Sequence, residues 1–433
     1  MNSKSLKIII FDGSFKTTTF INRLVLGLSK NHKVTILGFS NSVSKKLPNV
    51  HYIDLGSSQK VFNLILQSKL IAARLLFKTG SLKPIFKTLK NIFILNKKQL
   101  QQDNFNSVLR LINPDIIHVQ WPSLIPWCEE DLTSGKYNFV LSQRGYQSNV
   151  RPFVNRENFN YLQKWYSKFA GFHSVSKAIS GEGDKLHLPQ SPTSTSSAHR
   201  LKGGIKKIDK VVYSGFDFSK LIFNKEYHKQ ETLQILSVGR PHWIKGYSDA
   251  LHACKVLLNK GIDFNYTIIG TSERNEELLY LIDDLGLKEH VLLLPKMPQE
   301  EVYSKMKEAL VLLFSSIMEG MPNVVVEAMA LGLPVISTNC GGVGELIIDE
   351  NYQRLLSGAE VKVNSKPYKT GWLAPTRNPE ALAKAIIDFT KTPNTKIKEI
   401  RLAARQKVEE QHSEEMMVLG MEALYFSVTQ RRH

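Results

Sequence analysis

The sequence predicts an α/β protein built from two doubly wound units. Near the N-terminus a short apolar run, Leu6–Phe11, is followed by the turn Asp12-Gly13-Ser14. A stretch with helical apolar spacing comes next, Thr19–Ser29, and then a second apolar run, Lys33–Gly38. Strand, glycine turn, helix and strand in that order open a parallel, doubly wound sheet. The same order restarts at Leu233–Val238, and 433 residues are too many for one ordinary core.

The remaining elements follow from periodicity. In the first half Asp115–Gln120 and Phe139–Ser142 read as further strands, and 189–204, rich in Ser, Thr, Pro and Gly, reads as a flexible loop. After the strand at 233 a glycine turn leads into a helix expected over Ser248–Lys260. Tyr266–Gly270, Val291–Leu294, Ala309–Phe314 and Pro334–Ser337 are short apolar runs typical of buried parallel strands. A linker around 217–232 divides the chain into 1–220 and 221–412. The amphipathic stretch Ser413–Val428 falls in a terminal segment, 413–433.

Composition is that of a soluble globular protein. Cys128, Cys254 and Cys340 are far apart, with no Cys-x-x-Cys and no clustered histidines, which argues against a disulfide scaffold and a structural zinc site. Leu6–Phe11 is too short for a signal-peptide core, and no apolar run approaches the roughly 20 residues of a membrane span. A cytoplasmic location is expected. The net charge of +18 is unevenly placed: residues 1–222 carry 32 Lys and Arg against 12 Asp and Glu, whereas 223–433 carry 25 against 27. Residues 57–100 hold nine basic residues and no acid, interleaved with Leu, Ile and Phe. That segment is either an amphipathic surface for anionic lipid or the solvated face of ordinary core helices.

The most informative stretch is 315–334, Ser-Ser-Ile-Met-Glu-Gly-Met-Pro-Asn-Val-Val-Val-Glu-Ala-Met-Ala-Leu-Gly-Leu-Pro. It follows a predicted strand, places Asn323 as helix N-cap and Val324–Leu331 as helix, and stops at Gly332 and Pro334. Glu319 then lies on the loop and Glu327 about one turn into the helix. Between them the amides of Asn323, Val324 and Val325 form an anion site. Two carboxylates flanking an anion site suit a ligand with hydroxyls at both ends and phosphate in the middle, the shape of a sugar nucleotide.

Glu-x7-Glu followed by Ala-Met-Ala-x-Gly-x-Pro-Val resembles the signature of the family 4 retaining, nucleotide-sugar-dependent glycosyltransferases (group 1). Ser237-Val238-Gly239-Arg240 with Lys245-Gly246 resembles that family's second motif. Phe172–Ile179, Val212–Asp217, Gly341–Ile347 and Gly371–Pro375 are further matches in the family's order. The resemblance implies the GT-B architecture: two Rossmann-like domains facing a cleft, acceptor contacts in the first and donor contacts in the second, with the last helix crossing back to the N-terminal domain.

The resemblance also implies roles for residues. Arg240 and Lys245 neutralise the donor diphosphate, Glu327 binds the ribose hydroxyls, and Glu319 holds the donor sugar, so Arg240, Lys245 and Glu319 are the expected catalytic group. Gly239, Gly320, Met321, Pro322, Asn323 and Val324 complete the donor loop, and the strand end at Pro295 borders the nucleobase. Gly13 and Ser14 stand where many relatives carry paired glycines, a departure that leaves an ordinary turn as the competing reading. For Arg240 and Lys245 the competing reading is a solvated basic loop, and for Glu327 a carboxylate that only favours the helix dipole. Glu345, with Gly341-Gly342, is open between orienting the donor loop and packing. Arg144 occupies the place of a family histidine and cannot act as a base. Acceptor or phosphate binding competes there with a structural role. His118 and His173, on strands, read more readily as satisfied core histidines than as ligands.

The expectation is therefore a monomeric, retaining transferase that moves a sugar from a nucleotide diphosphate to a hydroxyl of a glycan or lipid-linked acceptor, in surface polysaccharide or lipopolysaccharide assembly. Cleft closure expels water from the donor. With no Asp-x-Asp in the chain, neither metal nor other cofactor is expected. Residues 57–100 would meet the inner face of the membrane, and nucleic acid is not an expected partner. A same-fold epimerase or phosphorylase would lack the full motif set. A dinucleotide oxidoreductase needs a Gly-x-Gly-x-x-Gly that is missing. A nucleic-acid-binding protein would leave the two glutamates unexplained.

Overall fold

The computed structural model describes residues 5–39, 46–187, 208–227, 229–271, 275–348 and 367–430. The predicted loop 189–204 lies outside them. The chain forms two compact units. The first takes in residues 1–175, 179–215 and 414–433, and the second residues 176–178 and 216–413.

The first unit carries seven parallel strands: β1 (Lys7–Gly13), β2 (Lys33–Gly38), β3 (Val50–Asp54), β4 (Ile116–Val119), β5 (Phe139–Gln143), β6 (Gly171–Ser174) and β7 (Asp209–Val211), in the order β3-β2-β1-β4-β5-β6-β7. Successive side chains leave opposite faces of a strand. Ile8 and Ile10 accordingly enter one core and Ile9 and Phe11 the other, all fully buried. The first core is closed by Met417, Met421, Leu424 and Tyr425 of the last helix, Glu414–Gln430, which lies against the helix Thr19–Leu28 and strands β6 and β7. Three helices, Val61–Thr79, Lys83–Phe93 and Lys97–Ile112, fill the long crossover from β3 to β4.

The second unit repeats the winding with β8 (Leu233–Val238), β9 (Phe264–Ile269), β10 (Val291–Leu294), β11 (Val311–Phe314), β12 (Val335–Thr338) and β13 (Trp372–Ala374), in the order β10-β9-β8-β11-β12-β13. In both sheets the order reverses beside the first strand, between β1 and β4 and between β8 and β11. The carboxyl ends of strands at such a switch point are where open α/β sheets bind ligands.

Candidate functional site

Unit two builds its switch-point site from two loops. After β8 come Gly239 and the exposed Arg240, then a 3-10 turn, Trp243–Lys245, entered through His242, whose Nδ1 accepts the Ile244 amide at 3.3 Å. Gly246 closes this turn at φ +61°, and a Cβ there would lie 2.2 Å from the Ser315 carbonyl oxygen. A residue with a Cβ at 246 would hold the Lys245 loop away from the end of β11. Ser315 Oγ donates to the Lys245 carbonyl at 2.9 Å, tying the loops together.

As a result Lys245 Nζ meets Glu319 Oε1 at 2.7 Å, with the ammonium 5.4 Å from the Phe314 ring centre. Ser316 Oγ adds a second hydrogen bond to the same carboxylate oxygen at 3.1 Å. The Glu319 backbone is held from behind. Gly341 sits at φ +51° where a Cβ would meet the Glu319 carbonyl oxygen at 2.0 Å, and the Gly342 amide donates to Gly320 at 2.8 Å. Met321 packs against Gly342. Glu345, buried, accepts the amides of Lys177 and Ala178 at 3.0 Å each.

The next helix spans Asn323–Leu331, one residue earlier than its side chains suggest. Pro322 is the N-cap and Asn323 the first helical residue, because the Pro322 backbone already has the extended geometry of a cap (ψ 109°). The Val325 amide is consequently taken by the Pro322 carbonyl at 3.1 Å, leaving the amides of Asn323 and Val324, not three, for an anion. Glu327 is the fifth helical residue and lies beyond the first turn, where the dipole effect fades. Its Oε1 accepts from Gln299 Nε2 at 2.8 Å and Tyr303 OH at 3.2 Å. Gln299 and Tyr303 escaped the sequence reading; their signal was the i, i+4 spacing on the helix Gln299–Glu308. Pro295 is exposed just past β10.

At the first unit's switch point the chemistry differs. Gly13 ends β1 at φ +75°, and Ser14 Oγ accepts the Lys16 amide at 3.0 Å. Asp12, unremarked in the sequence apart from its place in the turn, is buried beside them and accepts the Trp121 indole N–H at 2.7 Å. Burial pushes its carboxyl up to about 6, against the lowering effects of the Trp121 hydrogen bond and the Arg144 charge. Arg144 is buried with its guanidinium 4.3 Å from the Phe20 ring centre, donating to Gln120 Oε1 at 2.9 Å and Ser142 Oγ at 2.7 Å. Its Nε has no partner among the described residues. Burial lowers it to about 9.

Ser142 Oγ is a hub. It lies 2.7 Å from His118 Nε2 and 2.9 Å from His173 Nδ1. His118 Nδ1 is 2.8 Å from Tyr425 OH, and His173 Nε2 is 3.0 Å from the Val212 carbonyl. One assignment satisfies every atom. His173 donates to Val212, Ser142 to His173, and His118 to Ser142, while Tyr425 donates to His118. Both imidazoles are neutral, and burial holds His118 far below its usual range and His173 down at about 3. His173 is the third residue of β6 and pairs across from Ser142 in the sheet.

Among the described residues no group of three or more His, Cys, Asp or Glu side chains is placed to hold a metal ion. No described helix is long and apolar enough to cross a membrane. The three cysteines are buried and unpaired.

Two parallel Rossmann-type sheets, one with a cation, a carboxylate and the start of a helix at its switch point, define a doubly wound α/β protein. Residues 218–407 match the family model described as glycosyl transferases group 1. Over 185 residues the chain is 36% identical to the amylovoran biosynthesis glycosyltransferase AmsK of Erwinia amylovora, covering 41% of each chain. Over 225 residues it is 29% identical to the putative colanic acid biosynthesis glycosyltransferase WcaL of Salmonella typhimurium, covering 50% of this chain and 51% of the relative. The chain thus spans about half the length, or less, of these curated relatives. Among solved structures, HepE of Anabaena in complex with UDP and glucose superposes over 98% of this chain and 100% of its own with a TM-score of 0.64 at 16% identity. Sucrose-phosphate synthase of Thermosynechococcus elongatus covers 98% and 99% with a TM-score of 0.67 at 14% identity. The likeness to the glycosyl transferases group 1 model lies within the second unit, and the fold is that of GT-B glycosyltransferases.

Proposed function

We propose that this protein is a retaining glycosyltransferase that moves a sugar from a nucleotide diphosphate to a hydroxyl of a glycan or lipid-linked acceptor, without a metal, in surface polysaccharide or lipopolysaccharide biosynthesis. The observation that carries the reading is the Lys245–Glu319 pair, 2.7 Å apart at the switch point of the second sheet, with the exposed Arg240 on the same loop as Lys245. The leaving diphosphate gains charge as the glycosidic bond breaks. Cations fixed in advance stabilise that charge more in the transition state than in the ground state. Arg240, Lys245 and the amides of Asn323 and Val324 supply positive potential on one side of the loop. Glu319 and Glu327 supply acceptors for sugar and ribose hydroxyls. In front-face attack the acceptor oxygen bonds to the anomeric carbon on the side the phosphate leaves, and the departing phosphate oxygen takes the hydroxyl proton. That route needs no protein nucleophile.

A uridine nucleotide is the first donor to test, since HepE is a structural neighbour in complex with UDP and glucose. The pathway rests on the relatives named for amylovoran and colanic acid biosynthesis. Calorimetric titration with UDP, GDP, ADP and their sugar conjugates, without metal and then with Mg²⁺, tests the reading alongside Arg240→Ala and Glu327→Ala. Selective metal-free binding lost in both variants is the expected result. A folded protein that binds none of these nucleotides overturns the donor assignment, and binding only with Mg²⁺ overturns metal independence.

A further inference from the structure

The helix Lys83–Phe93 is amphipathic in the wrong sense for a water-soluble surface. Its buried residues are the polar Thr88 and Asn91, whereas Leu82, Phe86, Leu89 and Phe93, at i, i+4, i+7 and i+11, face outward. Phe86 is 66% exposed and Phe93 91%. The inward polar side is satisfied: Asn91 Nδ2 donates to Asp103 at 2.7 Å, and Lys87 pairs with the same carboxylate at 2.7 Å. It also borders a cavity of about 330 Å³ whose lining includes Thr79, Thr88, Asp103, Asn106, Arg110 and Glu130. The preceding helix, Val61–Thr79, buries Leu64, Ile71 and Leu75 in the usual way yet also turns Phe62 and Phe77 outward at 81% and 88% exposure. Burying these rings in water-free surroundings is what their placement favours.

Charge selects the occupant. Lys69, Arg74, Lys83, Lys90 and Lys98 are exposed among these rings, and residues 57–100 contain no acid. A second copy of the same face would bring like charges together, and an apolar protein groove would leave the ammonium groups without partners. An anionic bilayer takes rings into its acyl boundary and lysines among its headgroups. We propose that the helix Lys83–Phe93, with Phe62 and Phe77 beside it, is a membrane-docking face that lies in the interface of an anionic lipid surface, with Phe86 and Phe93 immersed. The proposal does not depend on the transferase reading.

The test is co-sedimentation of the full chain with phosphatidylcholine vesicles and with vesicles containing 30–40% phosphatidylglycerol, roughly the charge density at which polybasic segments respond. Three forms are compared: wild type, Phe86→Ser/Phe93→Ser, and Lys83→Gln/Lys90→Gln/Lys98→Gln. The altered side chains are exposed, so folding, checked by thermal melts, is expected to be unchanged. Wild type binds the anionic vesicles and not the neutral ones. Loss of three charges weakens partitioning on the order of 100-fold and lowers its salt dependence. Loss of the rings weakens it by at least tenfold and leaves the salt dependence. No binding to anionic vesicles, or binding indifferent to the ring substitutions, overturns the proposal. A concentration-dependent dimer in sedimentation velocity, abolished by Phe86→Ser/Phe93→Ser, assigns the face to a second copy and also overturns it.

Discussion

The two sheets share one strand order, yet their switch points handle charge in opposite ways. In the second unit Lys245 and Glu319 face each other at 2.7 Å with side chains about one-fifth exposed, so each compensates the other while a ligand retains access. In the first unit Asp12 and Arg144 are buried, and each is pushed toward its neutral form by desolvation. A compensated, accessible pair carries little folding energy and is free to exchange partners with a charged ligand. A desolvated group is held in place by its surroundings, and disturbing it is felt throughout the fold. The comparison therefore separates function from stability: substitutions in the second site should abolish turnover with the fold intact, and substitutions in the first should move the melting curve.

The largest effect is expected where the comparison is most exposed. Lys245→Ala and Glu319→Gln should each lower turnover about 100- to 1,000-fold, the size seen when one preorganised transition-state contact is removed. Their unfolding free energies should stay within about 1 kcal/mol of the parent. Steady-state kinetics and urea melts measured together decide it. Full activity in Lys245→Ala, or a collapse in stability, removes the distinction.

Next comes the hub of the first unit. Ser142→Ala deprives three buried groups, His118 Nε2, His173 Nδ1 and Arg144 Nη2, of one partner at once. Each orphaned buried group costs about 1 kcal/mol or more, so a loss of about 3 kcal/mol is expected in urea unfolding. A loss under about 0.5 kcal/mol would mean that the hydroxyl is not the anchor.

Asp12 gives a smaller effect with a pH signature. In the folded chain its proton leaves near pH 6, against 3.8 when unfolded. Between those values the folded state holds the extra proton, so the contribution of Asp12 to stability falls as pH rises and is lowest above about 6. Asp131, also raised to about 6 by burial, acts in the same sense. His118 and His173, held below 6.5, act in the opposite one: the unfolded chain takes their protons as pH falls, and stability drops. The terms offset each other between pH 4 and 6, so the difference between variants is the cleaner observable. Asp12→Asn keeps an acceptor for the Trp121 indole and should become more stable than the parent by about 2 kcal/mol above pH 7, with the gain vanishing toward pH 4. A gain independent of pH contradicts the burial argument.

Much of this was legible in the chain itself. The bounds of β2, β8 and β10 coincide with their apolar runs, and in β2 and β8, which are flanked by strands on both sides, burial of both faces explains the match. β7 and β13, three residues each, are too short for a periodic signal, and β3 is a half-exposed edge strand. The pairing of Lys245 with Glu319, 74 positions apart, required knowing that β8 and β11 are neighbours. Ser142 joins two histidines only because β4, β5 and β6 lie side by side in register. The lysine-rich helices showed the opposite limit: their amphipathy was visible, but which face turned outward depended on Asp103, which holds Asn91 inward and pairs with the exposed Lys87.

The smallest expected effect sharpens the comparison within the second site itself. Glu327 is oriented by Gln299 and Tyr303, which reach it from the neighbouring helix and contact the same oxygen. If Glu327 receives the ribose hydroxyls, Tyr303 acts only by presetting that carboxylate. Removing one half-exposed hydrogen bond of 3.2 Å should cost about 1 kcal/mol of that preorganisation. Tyr303→Phe is therefore expected to weaken donor binding about fivefold in calorimetry and to raise the donor KM by a similar factor. It should leave kcat and the melting midpoint nearly unchanged, since the hydroxyl touches no reacting atom and the ring still packs on the same core. A fall in kcat at unchanged donor affinity would move Tyr303 from a positioning residue to one that meets the substrate. It would also show that the accessible carboxylates of this unit are less interchangeable with solvent than the Lys245–Glu319 pair suggests.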